Sequence, residues 1–593
     1  MTGIEDLQTL LDETEGAPLP LLLDRIIAAL PDDASRRARI AELVDESRTA
    51  WQWLLGGRRR GRILHLSGGW NASAMALARV WEQVTVLEPL DASLRVLERR
   101  IADEGFRNVE LIPGECHGRL PCADAVFDAV CWTAAPGRRV PCADDGDEAT
   151  LTPLLREAAR VLKPDGELLL GLPNRWRRSS LLQKGEPPLF TLGNVVRTLR
   201  GAGFGVHSVH AHENEYEQER FFVDLDDVSA IRAFQDQHPG RGRHLPLWVY
   251  RRLAPQYAVV AGKGPAESPW LRDALQAVRN HLGLRDGAWT VSPPAVQRKG
   301  KLVSVLSRHG RPAWIVKIPL RPETRAGIEN ARRVLSGLSA HLTVDDPLAG
   351  LLPGGLERLD FEGMSLYVES ICRGRPWASH LKRMPGVTDT DLPEVLARLL
   401  ELDAGDLGLS EDDDGLSHKL DHLRGLMTHH APELVDAMTA VGGRLEDAAR
   451  GRPWKLRKGD MTLSNVFLEN GRVSGLIDWD ESEVARLPLA AYADLVFSWL
   501  WQREELRRAE SLARLIDGEL DALPRALGVR EVLSRLDCGP DDLAIGAVAS
   551  WVDHAHYELT HPVFRYQPDR IRSLLVEPCR AVARAWGQPI DAP

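Results

Sequence analysis

Two acids and an asparagine stand at the ends of one short stretch late in the chain. Asp460 and Asn465 come before the first of two apolar runs, Asp478 follows the second, and Asn-Gly at 470–471 separates the runs. Asn-Gly between two apolar runs predicts a tight β-hairpin. A carboxylate can accept a proton from a hydroxyl group, and carboxylate and amide oxygens suit Mg²⁺. The stretch predicts a general base beside a magnesium site, and an ordinary surface hairpin with acidic ends is the alternative.

The spacing of these residues narrows the chemistry. Four residues separate Asp460 from Asn465. Phosphoryl-transfer enzymes of the protein-kinase type use this spacing for a catalytic base and a metal ligand, and Asp478 occupies the place of their second metal-holding acid. We therefore predict that Asp460 accepts or orients the proton of an acceptor hydroxyl. Asn465 and Asp478 are the predicted ligands of Mg²⁺ on the phosphates of ATP or another nucleoside triphosphate.

The strands that must accompany such a site lie upstream, near residue 310. Two apolar runs around a tight turn predict a strand pair, and Lys317 lies at the end of the second run. A buried lysine needs an anion, which phosphate oxygens and a helix carboxylate would supply. Glu329 opens an amphipathic stretch and is the predicted partner, with Glu323 as the competing one. Glu369 lies on a strand that leads to a predicted hinge, where adenine would meet backbone groups. Lys317, Glu329 and Glu369 are the predicted ATP-binding residues.

Strands and helices alternate in the first half of the chain, from residue 61 to about 172. This alternation predicts a parallel sheet that binds ligands at the carboxyl ends of its strands. The first strand runs into a turn of small residues at 67–71, and the second ends on Glu88. Such a turn lets the backbone approach a ligand, and the acid can accept hydrogen bonds from ribose hydroxyls. The pattern predicts a site for a nucleotide-like molecule.

Residues about 60–175 resemble the class I S-adenosylmethionine-dependent methyltransferases. Residues 63–71 match their first motif, Glu88 matches their ribose-binding acid, and 127–130 match their fourth strand. The resemblance implies S-adenosylmethionine as a cofactor and puts 114–115 on the adenine side. The cofactor-binding residues that it implies are Leu66, Ser67, Gly68, Gly69, Glu88 and Glu115.

The first motif departs from the family pattern. His65 stands where the family usually has an acid near the methionine amino group, and Ser67 and Asn71 stand where it has glycines. Because Asn tolerates positive φ, the turn can persist. We predict cofactor binding and methylation, and a degenerate methyltransferase fold kept as a scaffold is the alternative.

Residues roughly 290–500 resemble the aminoglycoside phosphotransferase and choline kinase family, relatives of protein kinases that phosphorylate hydroxyls of small molecules. The matching segments are 459–465, 477–480 and 488–495. Lys458 replaces the family's histidine, and Arg-Leu-Pro at 486–488 replaces a glycine. We expect altered packing around Lys458 and unchanged chemistry at the acids.

The composition excludes several classes of protein. Of 593 residues, 44% are hydrophobic and 27% charged, and the net charge of -11 argues against a nucleic-acid binder. No apolar run approaches the length of a membrane span, and the first residues have no secretory pattern. Seven scattered cysteines, without a Cys-x-x-Cys pair, predict a reducing cytoplasm and neither a disulfide framework nor a metal site.

The predicted fold class is α/β, with a Rossmann-like doubly wound methyltransferase domain followed by a two-lobed kinase-like α+β domain. Pro255 and the Gly-Lys-Gly-Pro cluster at 262–265 predict the boundary. The predicted parts are a helical lead-in (1–50), the methyltransferase-like domain (51–255), a linker (256–265) and the kinase-like domain (266–593), with an N-lobe at about 266–370 and a C-lobe at about 371–593.

Together these patterns predict a bifunctional tailoring enzyme that phosphorylates and methylates a small molecule or a glycan. Similar fusions cap bacterial polysaccharide chains, a likeness of domain order only. A phosphotransferase with a non-catalytic first domain is the alternative, and a pseudokinase is disfavoured because the catalytic residues are all present. Candidates to line the acceptor pocket, or else to pack the helical core, are Trp499, Trp501, Trp551, His554 and His556.

Overall fold

The computed structural model describes residues 7–588 with internal gaps. The gaps are 32–35, 57–59, 67–71, 115–117, 134–147, 175–189, 214–219, 238–244, 285–288, 298, 384–390, 411–414, 524 and 566. The chain divides into two compact units. Unit 1 is Met1–Arg321 with Arg358–Val368, and unit 2 is Pro322–Glu357 with Glu369–Pro593.

Unit 1 alternates helices and strands, as the sequence predicts. Its helices are α1 (Leu7–Glu13), α2 (Leu19–Ala29), α3 (Arg36–Val44), a 3₁₀ helix (Glu46–Leu54), α4 (Ser73–Ala78), α5 (Asp91–Asp103), α6 (Glu148–Val161), α7 (Leu192–Gly201), α8 (Val228–Gln237), α9 (Leu247–Leu253) and α10 (Trp270–His281). Its strands are β1 (Arg62–Leu66), β2 (Gln83–Glu88), β3 (Val109–Pro113), β4 (Phe127–Thr133), β5 (Leu162–Pro173), β6 (Gly205–Glu213), β7 (Arg220–Asp224), β8 (Gln256–Gly262), β9 (Trp289–Val291), β10 (Ala295–Gln297), β11 (Lys301–Arg308), β12 (Arg311–Pro319), β13 (Glu357–Phe361) and β14 (Met364–Ser370), the last two reaching the boundary with unit 2.

One sheet runs through unit 1 in the order β13-β14-β12-β11-β10-β7-β6-β8-β5-β4-β1-β2-β3, with β9 paired to β11. Strands β3, β2, β1, β4 and β5 are parallel, and β8 is antiparallel to both β5 and β6. The strand order reverses between β1 and β4, which is the switch point of a doubly wound sheet. The predicted Rossmann-like fold is present, and its switch point follows Leu66.

The predicted linker at 256–265 is wrong for most of its length. Gln256–Gly262 forms β8, and every residue of this strand is buried. The apolar run from Tyr257 to Ala261 is covered on both faces of the sheet, which the glycine and proline residues around it do not reveal. The glycine and proline residues that predicted a domain boundary instead mark the end of strand β8.

The strands predicted for the kinase-like N-lobe continue this sheet. Ala295 of β10 pairs with Phe221 of β7, and β11 and β12 follow in antiparallel order. One hydrophobic core includes Met75 of the Rossmann-like part together with Val316 and Leu366 of the later strands. Within unit 1 the two predicted domains therefore share a sheet and a core.

The helical lead-in packs on the Rossmann-like part. Arg95 of α5 forms an ion pair with Asp12 of α1 at 2.8 Å, and Arg99 donates to the carbonyl oxygen of Thr14 at 2.7 Å. Burial of Leu22 and Ile26 on α2 adds apolar contact. The lead-in is part of the folded unit.

Unit 2 is mostly helical. Its helices are α11 (Pro322–His341), α12 (Trp377–Arg383), α13 (Leu392–Glu401), α14 (Gly415–His430), α15 (Val435–Ala449), α16 (Leu489–Glu504), α17 (Arg508–Ile516), α18 (Val529–Arg535), α19 (Pro540–Thr560), α20 (Pro562–Arg565), α21 (Pro568–Ile571) and α22 (Glu577–Ala585), with a π-helical turn at Arg572–Val576. Its strands are β15 (Arg375–Pro376), β16 (Lys455–Arg457), β17 (Val466–Glu469), β18 (Arg472–Leu476) and β19 (Glu483–Ala485).

The predicted hairpin is confirmed. Strands β17 and β18 pair antiparallel, and Glu469 lies opposite Arg472. Asn470 and Gly471 between them have φ of +53° and +81°, the left-handed pair that a type I′ turn requires. In the part of the chain that the structure describes, no helix is long and apolar enough to cross a bilayer.

Candidate functional site

The predicted base and metal ligands are placed by the ends of short strands in unit 2. Asp460 follows β16, Asn465 immediately precedes β17, and Asp478 follows β18. The intervening loop is tight, because the amide of Thr462 donates to the carbonyl of Asp460 and the amide of Asn465 donates to that of Thr462, each at 2.9 Å. The amide of Ile477 then donates to the carbonyl of Asn465 at 3.0 Å. Backbone bonds thus hold the three residues on one small scaffold.

Asn465 is hydrogen-bonded directly to the predicted base. Its Nδ2 donates to the backbone oxygen of Asp460 at 2.8 Å and to the carboxylate Oδ2 of Asp460 at 3.2 Å. The side chain of Asn465 is 8% exposed. Since the amide nitrogen is engaged, the amide oxygen is the atom left to face a cation, and oxygen is the ligand that Mg²⁺ takes.

The two acids share an unusual backbone conformation. Asp460 has φ of +51° and Asp478 has φ of +58°, in the left-handed region that residues other than glycine seldom adopt. Holding a residue there costs on the order of 1–3 kcal/mol, and such residues cluster at functional sites. The hydrogen bonds around Asp460 and Asp478 must offset this cost.

Lys458 links the loops that carry the two acids. Its side chain is fully buried, and its Nζ donates to the backbone oxygen of Asp478 at 3.1 Å. The same nitrogen lies 5.5 Å from the centre of the Trp479 ring, while the indole nitrogen of Trp479 donates to Leu476 at 2.8 Å. Burial lowers the pKa of Lys458, and the charges of the neighbouring acids, Asp460 first, oppose that shift.

Asp494 of α16 lies beside the same site. Its Oδ1 accepts a hydrogen bond from Ser550 at 2.5 Å and lies 3.6 Å from Arg508. Burial raises the pKa of Asp494 to about 6, against the opposing effects of Arg508, Arg457 and Ser550. The segment that contains it matched the family pattern, but the sequence does not show that this acid is buried.

Four charged side chains form a closed ion cluster next to the site. Lys419 contacts Glu483 at 2.6 Å and Asp553 at 2.7 Å, and Arg457 contacts the same two acids, Glu483 at 3.1 Å. Sequence reasoning missed this cluster because Lys419 and Asp553 are 134 residues apart. No local pattern relates them.

A cleft of about 670 Å³ opens beside Asp460 and is called the catalytic cleft below. Trp501, His554 and His556, three of the predicted acceptor-pocket residues, line it. Trp551 is instead fully buried and donates to the carbonyl of Leu574 at 2.7 Å, so it packs the core. The other residues that line the cleft are Lys419, Arg457, Thr462, Asp480, Glu481, Ser482, Glu483, Asp494, Phe497, Ser498, Leu506, Arg507, Arg508, Ser511, Asp553, Tyr557, Arg570, Ser573, Leu574 and Glu577.

The predicted ATP-binding residues divide between the two units. Lys317 lies on β12 in unit 1, opposite Val303, and is 6% exposed. Glu329 lies on α11 in unit 2, where it pairs with Arg332 at 2.9 Å, and Glu369 is buried at the end of β14. The ion pair between Lys317 and Glu329 stays a prediction.

The predicted cofactor site of unit 1 is described only in part. Leu66 lies opposite Leu87, and Glu88 lies opposite Pro113, so the ends of β1, β2 and β3 meet at one edge. Glu88 is fully buried, and its Oε1 accepts from the amide of Leu90 at 3.2 Å. The other predicted cofactor residues, Ser67, Gly68, Gly69 and Glu115, lie outside the described residues.

His65 occupies the place where a methyltransferase usually has an acid. It is 1% exposed, its Nδ1 has no hydrogen-bond partner among the described residues, and burial lowers its pKa to about 4. The ring is therefore neutral at physiological pH. His65 therefore provides no negative charge at the end of β1.

The fold and the site define a class of protein, namely a Rossmann-like methyltransferase fold joined to a kinase-like phosphotransferase fold. Residues 64–170 match the model of a methyltransferase domain, and residues 302–529 match that of the phosphotransferase enzyme family. The predicted fusion and its fold class are confirmed by these matches. No protein of curated function matches the chain at a significant level.

Parts of the chain are also similar to solved structures. A SAM-dependent methyltransferase from Aquifex aeolicus is 20% identical over 30% of this chain and 87% of its own, with a TM-score of 0.23. A thermostable mutant of the aminoglycoside phosphotransferase APH(4)-Ia, in its apo form, is 15% identical over 53% of this chain and 99% of its own, with a TM-score of 0.36. A complex of such a mutant with ADP and hygromycin B is 16% identical over 53% and 100% of the two chains, with a TM-score of 0.36.

Proposed function

We propose that the kinase-like domain phosphorylates a hydroxyl group of a small molecule or a glycan with ATP and Mg²⁺, and that the Rossmann-like domain methylates with S-adenosylmethionine. The observation that carries the proposal is the pair of hydrogen bonds from Asn465 to Asp460, on the scaffold that also holds Asp478. Base and metal ligands of a kinase-type centre need this proximity. The match of residues 302–529 to a phosphotransferase family supports it.

In this mechanism Asp460 receives or orients the proton of the acceptor hydroxyl. A positioned general base contributes about 10²–10⁴-fold to rate. Its position beside the catalytic cleft lets an acceptor reach its carboxylate. The hydrogen bond from Asn465 to Oδ2 holds that carboxylate in one orientation.

Asn465 and Asp478 would hold Mg²⁺ through one amide oxygen and one carboxylate. Mg²⁺ bound to a nucleotide takes its remaining ligands from phosphates and water, so two protein side chains suffice. When bound, the ion neutralises charge on the transferring phosphoryl group.

Lys317 would contact the α- and β-phosphates, with Glu329 as its carboxylate partner and Glu369 near the adenine. We place the reaction in the cytoplasm, where nucleoside triphosphates are available. These assignments rest on the kinase pattern of the sequence.

In unit 1, Glu88 would accept hydrogen bonds from the ribose hydroxyls of S-adenosylmethionine. Glu88 ends a strand of the sheet, and the two ribose hydroxyls can donate to a carboxylate in that position. The bound cofactor would supply the methyl group. Leu66 and Glu88, at neighbouring strand ends, support the position of this site at the switch point of the sheet.

His65 favours a second candidate function, a phosphotransferase whose Rossmann-like part binds without methylating. A neutral imidazole cannot replace the carboxylate that usually faces the methionine amino group. Calorimetry of the full chain with S-adenosylmethionine and its demethylated product, together with mass spectrometry of acceptors incubated with S-adenosylmethionine, separates the candidates. Binding with methyl transfer supports two activities, binding alone supports the second candidate, and absence of binding excludes a cofactor site.

The phosphotransferase is tested with the full chain, ATP and a panel of hydroxylated acceptors, with products identified by mass spectrometry. Asp460→Asn and Asp478→Ala should each abolish the gain of one phosphoryl group while the thermal unfolding midpoint stays close to that of the parent. Asp447→Asn, at an exposed pair with Arg450 on α15, is the matched control. Undiminished transfer by either catalytic variant would end the assignment.

A further inference from the structure

The walls of the catalytic cleft differ in charge. The segment that carries Asp460 contributes acids to the lining at positions 460, 480, 481 and 483. The wall formed by the start of α17 and by residues 570–577 contributes Arg507, Arg508 and Arg570, against Glu577 as its acid. Glu577 already lies 3.3 Å from Arg572. Asp494 also lines the cleft, 3.6 Å from Arg508, and this wall still has more arginines than acids.

Two other cations of the cleft are already compensated. Lys419 and Arg457 share Glu483 and Asp553 in the closed ion cluster, which is neutral as a whole. A buried pair with such short contacts leaves little attraction for a ligand. An anion entering the cleft would therefore be drawn to the wall of α17.

Arg508 is half-buried in that wall. Its Nη1 lies 3.6 Å from Asp494 and 3.4 Å from Ser550, and its Cζ lies 4.3 Å from the centre of the Phe497 ring. Charge-assisted hydrogen bonds of guanidinium groups are normally about 2.7–2.9 Å long. The contacts of Arg508 with Asp494 and Ser550 are longer than this, and a guanidinium has five N–H donors in all.

The surroundings of Arg508 do not restore the solvation that burial removes. Burial lowers the pKa of Arg508, and the attraction of Asp494 and Asp460 opposes this only in part. The side chain retains 19% exposure and lines the cleft. An oxyanion with two oxygens fits the planar fork of this group.

We propose that the acceptor phosphorylated in this cleft carries an oxyanion, a carboxylate or a phosphate, which Arg508 binds with help from Arg507 and Arg570. This inference rests on the proposed phosphotransferase function and adds the chemical class of its substrate. The acceptor hydroxyl would face Asp460 while the anion lies against α17. Arg508 then acts in acceptor recognition.

The inference is tested by calorimetry on the full chain loaded with a non-hydrolysable ATP analogue and Mg²⁺. The probes are glucose, glucosamine, glucuronate and glucose 6-phosphate, which share a ring and differ in charge. We expect glucuronate or glucose 6-phosphate to bind at least tenfold more tightly than glucose, and the two anions distinguish a carboxylate from a phosphate site. Equal binding of all four, or preference for glucosamine, would overturn the inference.

Substitutions locate the anion. Arg508→Gln should weaken binding of the preferred anion about ten- to a hundredfold and leave glucose unchanged, and Arg508→Lys should recover part of the loss. Arg514→Gln, on the same helix but paired with Glu504 and Glu519, is the control and should have no effect. Arg570→Gln is the second variant if Arg508→Gln does not fold, and it should reduce the same preference. An unchanged preference in a folded Arg508 or Arg570 variant contradicts the assignment.

Measurements of catalytic turnover test the phosphotransferase function and the anionic acceptor separately. Transfer from ATP to neutral acceptors, abolished by Asp460→Asn and unaffected by acceptor charge, would sustain the phosphotransferase and overturn the acidic acceptor. Absence of any Asp460-dependent transfer, to acceptors or to water, would overturn both.

Discussion

Lys458 donates a hydrogen bond from its buried ammonium group to the backbone oxygen of Asp478, 3.1 Å away. This bond joins the loop of the predicted base to the loop of the predicted metal ligand, and both acids have left-handed backbones. A single side chain thus connects the two halves of the site. The family histidine that it replaces is shorter and less strongly charged.

Loss of the hydrogen bond between Lys458 and Asp478 should slow phosphoryl transfer clearly while the protein stays folded. In Lys458→Met the carbonyl of Asp478 loses its partner, at a cost of about 1–3 kcal/mol, while the desolvated charge is removed. We expect kcat to fall about tenfold or more, with a smaller change in the thermal midpoint. Lys458→His should retain more activity than Lys458→Met, and the reverse order would contradict the bridging role.

Stability should depend on Asp494 in the acid range. Its pKa is raised from 3.8 to about 6, so between pH 4 and 6 the folded state binds the proton that the unfolded state releases. Its contribution to stability therefore falls as pH rises through this window, by on the order of 3 kcal/mol. Asp494→Asn should remove this part of the slope in urea unfolding at pH 4.5 and 7. Asp494→Asn also removes the attraction between Asp494 and Arg508, so the free energy of unfolding at any one pH is not informative by itself. The measurement is therefore its change between the two pH values, and Asp447→Asn is the control.

The buried His65 should give stability the opposite dependence on pH. Its pKa is lowered from 6.5 to about 4, so the unfolded state binds more protons between these values and stability is lost as pH falls. The shift corresponds to roughly 3 kcal/mol over the window. His65→Leu should show a shallower loss of stability from pH 7 to pH 4.

Removal of β8 should disrupt unit 1. A chain that ends at residue 255 lacks the strand between β5 and β6 and leaves the edges of both unpaired. We expect it to be largely insoluble or rapidly digested by protease, whereas a chain that ends at 265 should be more resistant over β5. Equal protease resistance of the two chains would show that β8 is dispensable for the sheet.

Much of the fold could be read from local patterns. The alternation of strands and helices predicted the doubly wound sheet, and the Asn-Gly dipeptide predicted the hairpin of β17 and β18 because φ above zero at both positions is a local requirement. The prediction of a linker at 256–265 was wrong, and the reason is also local. Glycine and proline residues mark strand ends and linkers alike, and only burial on both faces reveals Gln256–Gly262 as a strand.

By itself the sequence determined which residues form the candidate catalytic centre, since Asp460, Asn465 and Asp478 are close in the chain and short-range backbone bonds position them. Only the tertiary structure decided their surroundings. The ion cluster of Lys419 and Asp553 joins residues far apart in the chain, and Arg508 reaches the catalytic cleft because α17 packs on α19. Burial and long-range charge pairing depend on the packing of distant elements, and no spacing in the sequence encodes them.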